Sequence, residues 1–294
     1  MGEPPAKTTT GRSAARSESG GSTLADGTAP GVGVPLFERV ITRIRTPHSP
    51  KLWFELLLIV FSYWLYSQIR NAVPQQRGLA LRHSRGVWSF ERNLGLGVEH
   101  AINHGINSVT WLIVPMNYFY ATLHFIVTVS VLVWLYLNHP GRFRAARTVV
   151  FITTWLALVG FWLFPLAPPR LLAGAGFIDT VRVHHTWGSV DQGNLSTVSN
   201  QYAAMPSLHI GWSLWCGVTV ASLAKPLFVR VLACVYPALT LLVIIATGNH
   251  FWMDAVGGAF CLTVAYAVAS WVYGCWVYRL PRYPPGTQEA LEHP

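Results

Sequence analysis

The sequence predicts an all-α integral membrane protein, a six-transmembrane-helix bundle with one interfacial amphipathic helix. Three observations lead there. Of the 294 residues, 52% are hydrophobic and only 11% charged, where soluble domains carry about 25% charged residues. Mean hydropathy is +0.36. Apolar stretches close to the roughly twenty residues that a bilayer core requires recur along the chain, separated by short basic, proline-containing turns.

Residues 1–34 are rich in Gly, Ser, Thr, Ala and Pro and have no hydrophobic periodicity. Such a stretch buries too little apolar surface to offset its ordering entropy, and it is expected to be a disordered N-terminal tail. It has no apolar central region and is not a signal peptide. Residues 35–110 hold the first span and the interfacial helix. Arg39, Arg43, Arg45 and Lys51 precede an apolar run from Leu52 to Val73, which argues for a cytoplasmic N-terminus. Between Pro74 and Ser108, Val87, Phe90, Leu94, Val98 and Ala101/Ile102 recur at helical spacing, with Arg92, Glu99, His100, Asn103 and His104 on other faces. That pattern predicts an amphipathic helix along the interface, broken near Gly95 and Gly97. Its arginines fall outside under this topology, against the positive-inside bias.

Residues 111–282 form the expected core. A second span runs from Trp111 or Asn117 to Leu137, with Pro115 marking a break. His139 to Arg147 reads as a short basic cytoplasmic loop, and a third span follows from Thr148 to Phe164. Pro165-Leu-Ala-Pro-Pro-Arg170 stops it. A long polar connection, 171–204, is a candidate lid or binding loop. The fourth span runs from Pro206 to Ala224, the fifth ends at Ala246, and the sixth runs from His250 to Val277. Arg279 and Arg282 close the core on the cytoplasmic side, and 283–294 is a C-terminal tail. The alternation puts both termini in the cytoplasm of a bacterial-type plasma membrane and the site on the extracytoplasmic face.

The net charge of +9 sits mostly in the tail and at span ends, where anionic lipid favours it. Base-reading features are lacking, so nucleic acid is not an expected partner. Cys216, Cys234, Cys261 and Cys275 all lie inside apolar runs, without zinc-like spacing, and read as small buried hydrophobes.

The chemistry gathers at two span ends. Thr247-Gly-Asn-His-Phe-Trp-Met-Asp-Ala-Val-Gly-Gly258 sets His250 and Asp254 four residues apart, on one face of a helix. A carboxylate bonded to one ring nitrogen fixes the tautomer and leaves the other nitrogen to react. Met205-Pro-Ser-Leu-His209 opens another span in the same way. Alone, a histidine at a helix end is ordinarily a hydrogen-bonded interfacial residue, and Arg170 a snorkelling anchor. Together, a phosphate-binding cation, a nucleophile with its carboxylate and a second acid/base are the parts of phosphoryl transfer through a covalent intermediate. On residue types alone, His209, His250 and Asp254 would also serve as zinc ligands.

Pro-Ser-Leu-His209, an apolar span, then His250-x-x-x-Asp254 resembles the type 2 phosphatidic acid phosphatase superfamily. The wording Ala-Pro-Pro-Arg, Met-Pro-Ser-Leu-His and Gly-Asn-His-Phe-Trp-Met-Asp is most similar to its inositol phosphorylceramide synthase branch, over Phe119 to Tyr278. The resemblance implies a six-helix core, no metal or other cofactor, and a phosphohistidine intermediate. It implies His250 as nucleophile, Asp254 as its orienting carboxylate, His209 as acid and base, and Arg170 as phosphate clamp. Ser207 and the amides after Pro206 would add donors at a helix N-terminus. It further implies a membrane lipid substrate and an alcohol or water acceptor, and names no protein partner.

Two cations of the phosphatase pattern are replaced, by Leu163 and Ile244. A phosphomonoester carries roughly −1.5 to −2 charges at neutral pH and a diester about −1. Fewer cations suit the diester, which favours headgroup transfer over hydrolysis. Arg182, His184 or His185 of the long connection could supply the missing charges and restore the phosphatase reading. A non-catalytic lipid-binding or transport protein is the third class, and it requires neither histidine.

Overall fold

The structure is a computed structural model and describes residues 41–43, 45–72, 76–186 and 201–287. The expected tail 1–34, residues 288–294 of the C-terminal tail and residues 187–200 of the long connection lie outside the described residues. The elements are Leu52–Ala72 (α1), Arg77–Asn93 (α2), Glu99–Asn107 (α3), Thr110–Asn138 (α4), Pro140–Leu163 (α5), Leu208–Leu223 (α6), Leu227–Ala246 (α7) and Trp252–Tyr273 (α8). Among the described residues there is no strand, only an isolated bridge between Leu166 and Ala203.

Four helices, α4, α5, α7 and α8, are long and apolar enough to cross a membrane. Two further apolar segments are shorter: Leu52–Leu65 within α1, and α6, whose sixteen residues rise roughly 24 Å.

Three boundaries differ from the sequence reading, each for a local reason. α4 runs through Pro115, because the missing N–H forfeits one bond that the helix bridges. Its irregularity falls further on, as a π-helical turn at Phe119–Leu123. α5 begins at Pro140 rather than near Thr148, since a proline at the first helical position has the right φ and needs no donor. Arg142, Arg144 and Arg147 therefore ride on a helix instead of a loop. Arg147 is buried and pairs with Glu55, tying α1 to α5. α8 stops at Tyr273, four residues short of Val277, where Gly274 adopts φ +73.

The amphipathic segment forms α2 and α3, broken around Gly95 (φ +73), where the sequence placed the break. Of the apolar stripe, Val87 and Ile102 pack partly buried against the bundle. Phe90, Leu94, Leu96 and Val98 are exposed, while Ala80, Ser84, Glu91, Glu99 and Asn103 are buried. The physical reason is close packing. Ala80, Ser84 and Glu91 lie on one stripe, and the small residues let α2 approach the bundle.

The helix ends form two groups. The end of α5 and the starts of α6 and α8 meet with the end of α7. Ser207 N–H donates to the Asp254 carbonyl (2.9 Å) and Arg170 N–H to the Gly248 carbonyl (3.0 Å). A Cβ at Gly258 would overlap the Ser207 carbonyl, and one at Gly160 the Pro206 ring, so both glycines permit this approach. At the opposite end, Arg142 Nε donates to the Leu280 carbonyl (2.6 Å), Arg282 Nε to that of Asn138 (2.7 Å), and Arg45 Nε to that of Val272 (3.1 Å). Between the two ends lies an apolar core that includes Leu135, Phe143, Val149, Trp215 and Ala265.

Candidate active site

α7 ends in a tight reversal. Gly248 takes φ +67, which an L side chain resists, and the amides of Asn249 and His250 return to the Ile244 carbonyl (3.1 and 3.2 Å). The turn delivers His250 to the start of α8, almost fully buried. Its Nδ1–H donates to Asp254 Oδ2 (3.0 Å), and the same oxygen accepts the Phe251 N–H (3.0 Å). Asp254 sits at the third helical position and folds back on the helix start, as acids there commonly do. One carboxylate thus caps the helix and fixes the imidazole tautomer. Nε2 of His250, the nitrogen whose lone pair this leaves free, is buried without a protein partner.

His209 lies in the first turn of α6, and its ring centroid is 5.4 Å from that of His250. Its Nε2–H meets the Tyr120 carbonyl (3.1 Å), and its ring stacks on Tyr120 at 4.3 Å. Tyr120 belongs to the π-helical turn of α4, which shifts the backbone register and turns carbonyls away from their usual partners. The same carbonyl accepts from His124 Nδ1 (3.1 Å). Ser207 precedes α6 at its N-cap. The helix has no side-chain cap, and the Ser207 hydroxyl is buried with no partner.

Arg170 follows α5 in a short helical turn. Its Nε donates to Asn249 Oδ1 (2.9 Å) and its NH1 to Asp179 Oδ2 (3.2 Å). Asn249 in turn donates to Thr247 Oγ1 (2.9 Å), so the residue before His250 also sets the guanidinium.

A cavity of about 510 Å³ brings Arg170, Asn249, His209 and His250 together with Tyr120 and His124. From these residues it runs down α4 and α5, past Phe125, Leu132, Phe151 and Val150, with Ile59 of α1 alongside. Asp254 stands behind His250, off the cavity wall, and Ser207 is buried beside its neighbour Leu208 on that wall. Arg182, His184 and His185 are not among the lining residues. Arg182 and His185 are exposed, and His184 Nε2 bonds Asn107 Oδ1 (2.9 Å). Among the described residues, no group of three or more His, Cys, Asp or Glu has a geometry that would hold a metal ion.

The sequence reading expected the arm formed by α2 and α3 but not its contacts with the site. Ser84 Oγ–H reaches the Ala167 carbonyl (2.7 Å) and His83 Nδ1–H that of Pro165 (2.8 Å), fixing the strip that carries Arg170. Asn103 donates to the Ala246 carbonyl (2.8 Å) and accepts from Ile178 N–H (2.8 Å). Glu91 Oε1 accepts the Met253 N–H (2.8 Å), and Glu99 Oε1 the Trp252 N–H (3.3 Å). Burial, with Glu99 alongside, pushes the Glu91 carboxyl up to about 9. The signal was present as two acids eight residues apart in an acid-poor chain, below the stripe of Ala80 and Ser84. His124 and Asn249 were also missed, the first because nothing local distinguishes it from its span and the second because it reads as an ordinary turn residue.

A family profile matches residues 85–268, and its description is the PAP2 superfamily. The chain belongs to the PAP2 superfamily. The match begins within α2 and ends within α8, so it takes in part of the arm and every residue of the converging ends. No curated protein and no solved structure matches the chain. PAP2 membership suggests lipid phosphatase or phosphotransferase chemistry, and the apolar helices fit a membrane protein.

Proposed function

We propose that this protein is a lipid phosphotransferase, inositol phosphorylceramide synthase-like, which moves a phospho-headgroup from a phospholipid to an alcohol acceptor through a phosphohistidine on His250. The observation that carries the reading is the His250 ring. Nδ1 is committed to Asp254, and Nε2 is left free beside His209 and Arg170. In the first step Nε2 attacks phosphorus, the bond from phosphorus to the leaving oxygen breaks, and His209 protonates that oxygen. In the second, His209 takes the proton of the acceptor hydroxyl, whose oxygen displaces Nε2 from phosphorus. Arg170, the Ser207 hydroxyl and the first amides of α6 hold the phosphate oxygens.

Transfer is favoured over hydrolysis by charge. Among the described residues lining the cavity, Arg170 is the one Lys or Arg. Residues 187–200 add neither in sequence. One guanidinium matches a diester of about −1 better than a monoester near −2. Ile244, where the phosphatase pattern has a cation, is fully buried in an apolar cluster, and Leu163 is largely exposed.

In this reading six helices span the membrane, both termini are cytoplasmic and the site faces outward. The clustering of Arg45, Arg142, Arg144 and Arg282 at the end opposite the site supports that orientation. The apolar walls between α1, α4 and α5 admit a lipid chain from the bilayer.

The test is purified protein in lipid nanodiscs with phosphate-labelled phospholipids, with and without long-chain alcohol acceptors. His250→Ala serves as the control. Label should pass to a new phospholipid only with acceptor and only with His250 intact, and should do so in excess EDTA. Free phosphate regardless of acceptor would make the protein a phosphatase and turn attention to Arg182, His184 and His185. No product in either channel would favour a non-catalytic lipid-binding role.

A further inference from the structure

The start of α8 is held by more acid than a helix N-terminus requires. A helix leaves its first amides without partners, and one capping side chain commonly satisfies one or two. Here Phe251 occupies the N-cap, and its side chain cannot accept. Its own N–H goes to Asp254, while the next two amides go to Glu99 and Glu91, both fully buried on the arm. Each glutamate keeps a second oxygen, Oε2, buried and without a protein donor.

We propose that Glu91 and Glu99 are positioning residues for the nucleophile, holding the first turn of α8 by its amides so that Asp254 Oδ2 stays aimed at His250 Nδ1. The inference rests on the reading of His250 as nucleophile and assigns the arm a part in that reaction. Without the two glutamates, the half-buried Trp252 and Met253 amides would be left unpaired. Asp254, the remaining acceptor within reach, would be drawn toward them. A carboxylate shared in this way no longer fixes the imidazole.

The Glu91 carboxyl can stand buried beside Glu99 because burial, with that neighbour, raises its pKa and keeps it protonated. The groups that face Glu91 are Glu99 from α3 and, from α8, Asp254 with His250 bonded to it. The seam between α2, α8 and the 165–177 segment also holds an apolar cluster of Leu166, Leu172, Phe251, Trp88 and Phe177. Ionising Glu91 would set a further negative charge beside Asp254 and loosen the turn.

The experiment follows hydrogen exchange of the Trp252 and Met253 amides, and orthovanadate affinity, in full-length protein in nanodiscs. Vanadate is the probe because it accepts a histidine nitrogen as a phosphoryl mimic and needs no identified lipid. Glu91→Ala should speed exchange of the two amides at least 10-fold and weaken vanadate binding at least 10-fold. Glu91→Gln accepts the same N–H and cannot ionise, and it should restore both to within about two-fold at pH 7. At pH 10 the wild type should lose protection that Glu91→Gln keeps, a rescue that a purely structural contact would not give. Unchanged exchange in Glu91→Ala overturns the proposal. So does faster exchange with unchanged vanadate affinity. If wild-type protein binds no vanadate, the phosphohistidine reading has failed, and exchange with its rescue by Glu91→Gln decides the positioning alone. Should Glu91→Ala not fold, the comparison of wild type with Glu91→Gln at pH 7 and 10 decides it.

Discussion

The starts of α6 and α8 lie side by side and each carries a histidine, yet they are finished in opposite ways. At α8, the amides of Phe251, Trp252 and Met253 all donate to carboxyls, from Asp254, Glu99 and Glu91. At α6 no side chain caps the helix, and the Ser207 hydroxyl is buried without a partner. Both ends carry the positive pole of a helix dipole. The acids offset that pole at α8, and it stays uncompensated at α6. On the proposed reading, His250 becomes cationic when phosphorylated and the start of α6 receives the anion. Acids at both ends would then repel phosphate, and acids at neither would leave the phosphohistidine unsupported. That reading divides one reaction between two neighbouring helices.

The most severe way to break this division is at the carboxylate end. His250→Ala should reduce turnover to background in the nanodisc assay. Asp254→Asn should cost about 10⁴-fold in kcat, since the amide can still cap Phe251 but no longer holds the imidazolium. Thermal unfolding separates the two effects. A fall in activity matched by collapse of the fold would mean that Asp254 acts mainly as a cap.

The open end should respond less. His209→Gln should lower kcat by about 10²–10⁴-fold, the range for a lost general acid and base, while labelled phosphate still accumulates on His250 when the leaving group is a good one. An equal loss with good and poor leaving groups would remove His209 from the proton transfer. Ser207→Ala should cost about 10²-fold in kcat, as for one lost oxyanion donor, with little change in melting temperature because that hydroxyl caps nothing. A drop in stability with unchanged kcat would instead make Ser207 structural.

What the sequence made legible follows the same line. His250, Asp254, His209 and Arg170 could be grouped from the chain because each stands at a span end, and alternation brings like ends together. Asp254 and His250 were paired through helical spacing, although His250 stands two residues ahead of α8 and the bond is made by Asp254 folding back on the helix start. Glu99 and Asn103 were placed off the apolar stripe but given no contact with the bundle, and Glu91 was passed over, because periodicity reports where large apolar groups recur, and a lipid-facing surface is apolar as well. In water, Phe90, Leu94 and Val98 would mark the buried face; beside a bilayer they mark the outer one. The start of α5 was misplaced for a related reason, since charge was taken as loop although Arg147 lies buried against Glu55. The π-helical turn that presents the Tyr120 carbonyl to His209 leaves no mark in composition.

The smallest expected effect concerns the acids at α8 and is read from stability, not turnover. Glu91 has an ordinary value of 4.5 and is held at about 9 in the fold, first by burial and then by Glu99 beside it. Between those values the unfolded chain has released the proton and the folded chain still binds it. The folded state therefore holds more protons, and stability must fall as pH rises through that window. The loss starts above the ordinary value and is complete once pH passes the folded one. Glu91→Gln has no proton to release, so this slope is absent. The melting temperature of Glu91→Gln relative to wild type should be level near pH 4, rise by a few degrees towards pH 9, and then stay constant. The opposite trend, with wild type gaining on the variant as pH rises, would mean that Glu91 is ionised in the fold. The acids at α8 would then bear one more negative charge than the division of labour with α6 allows.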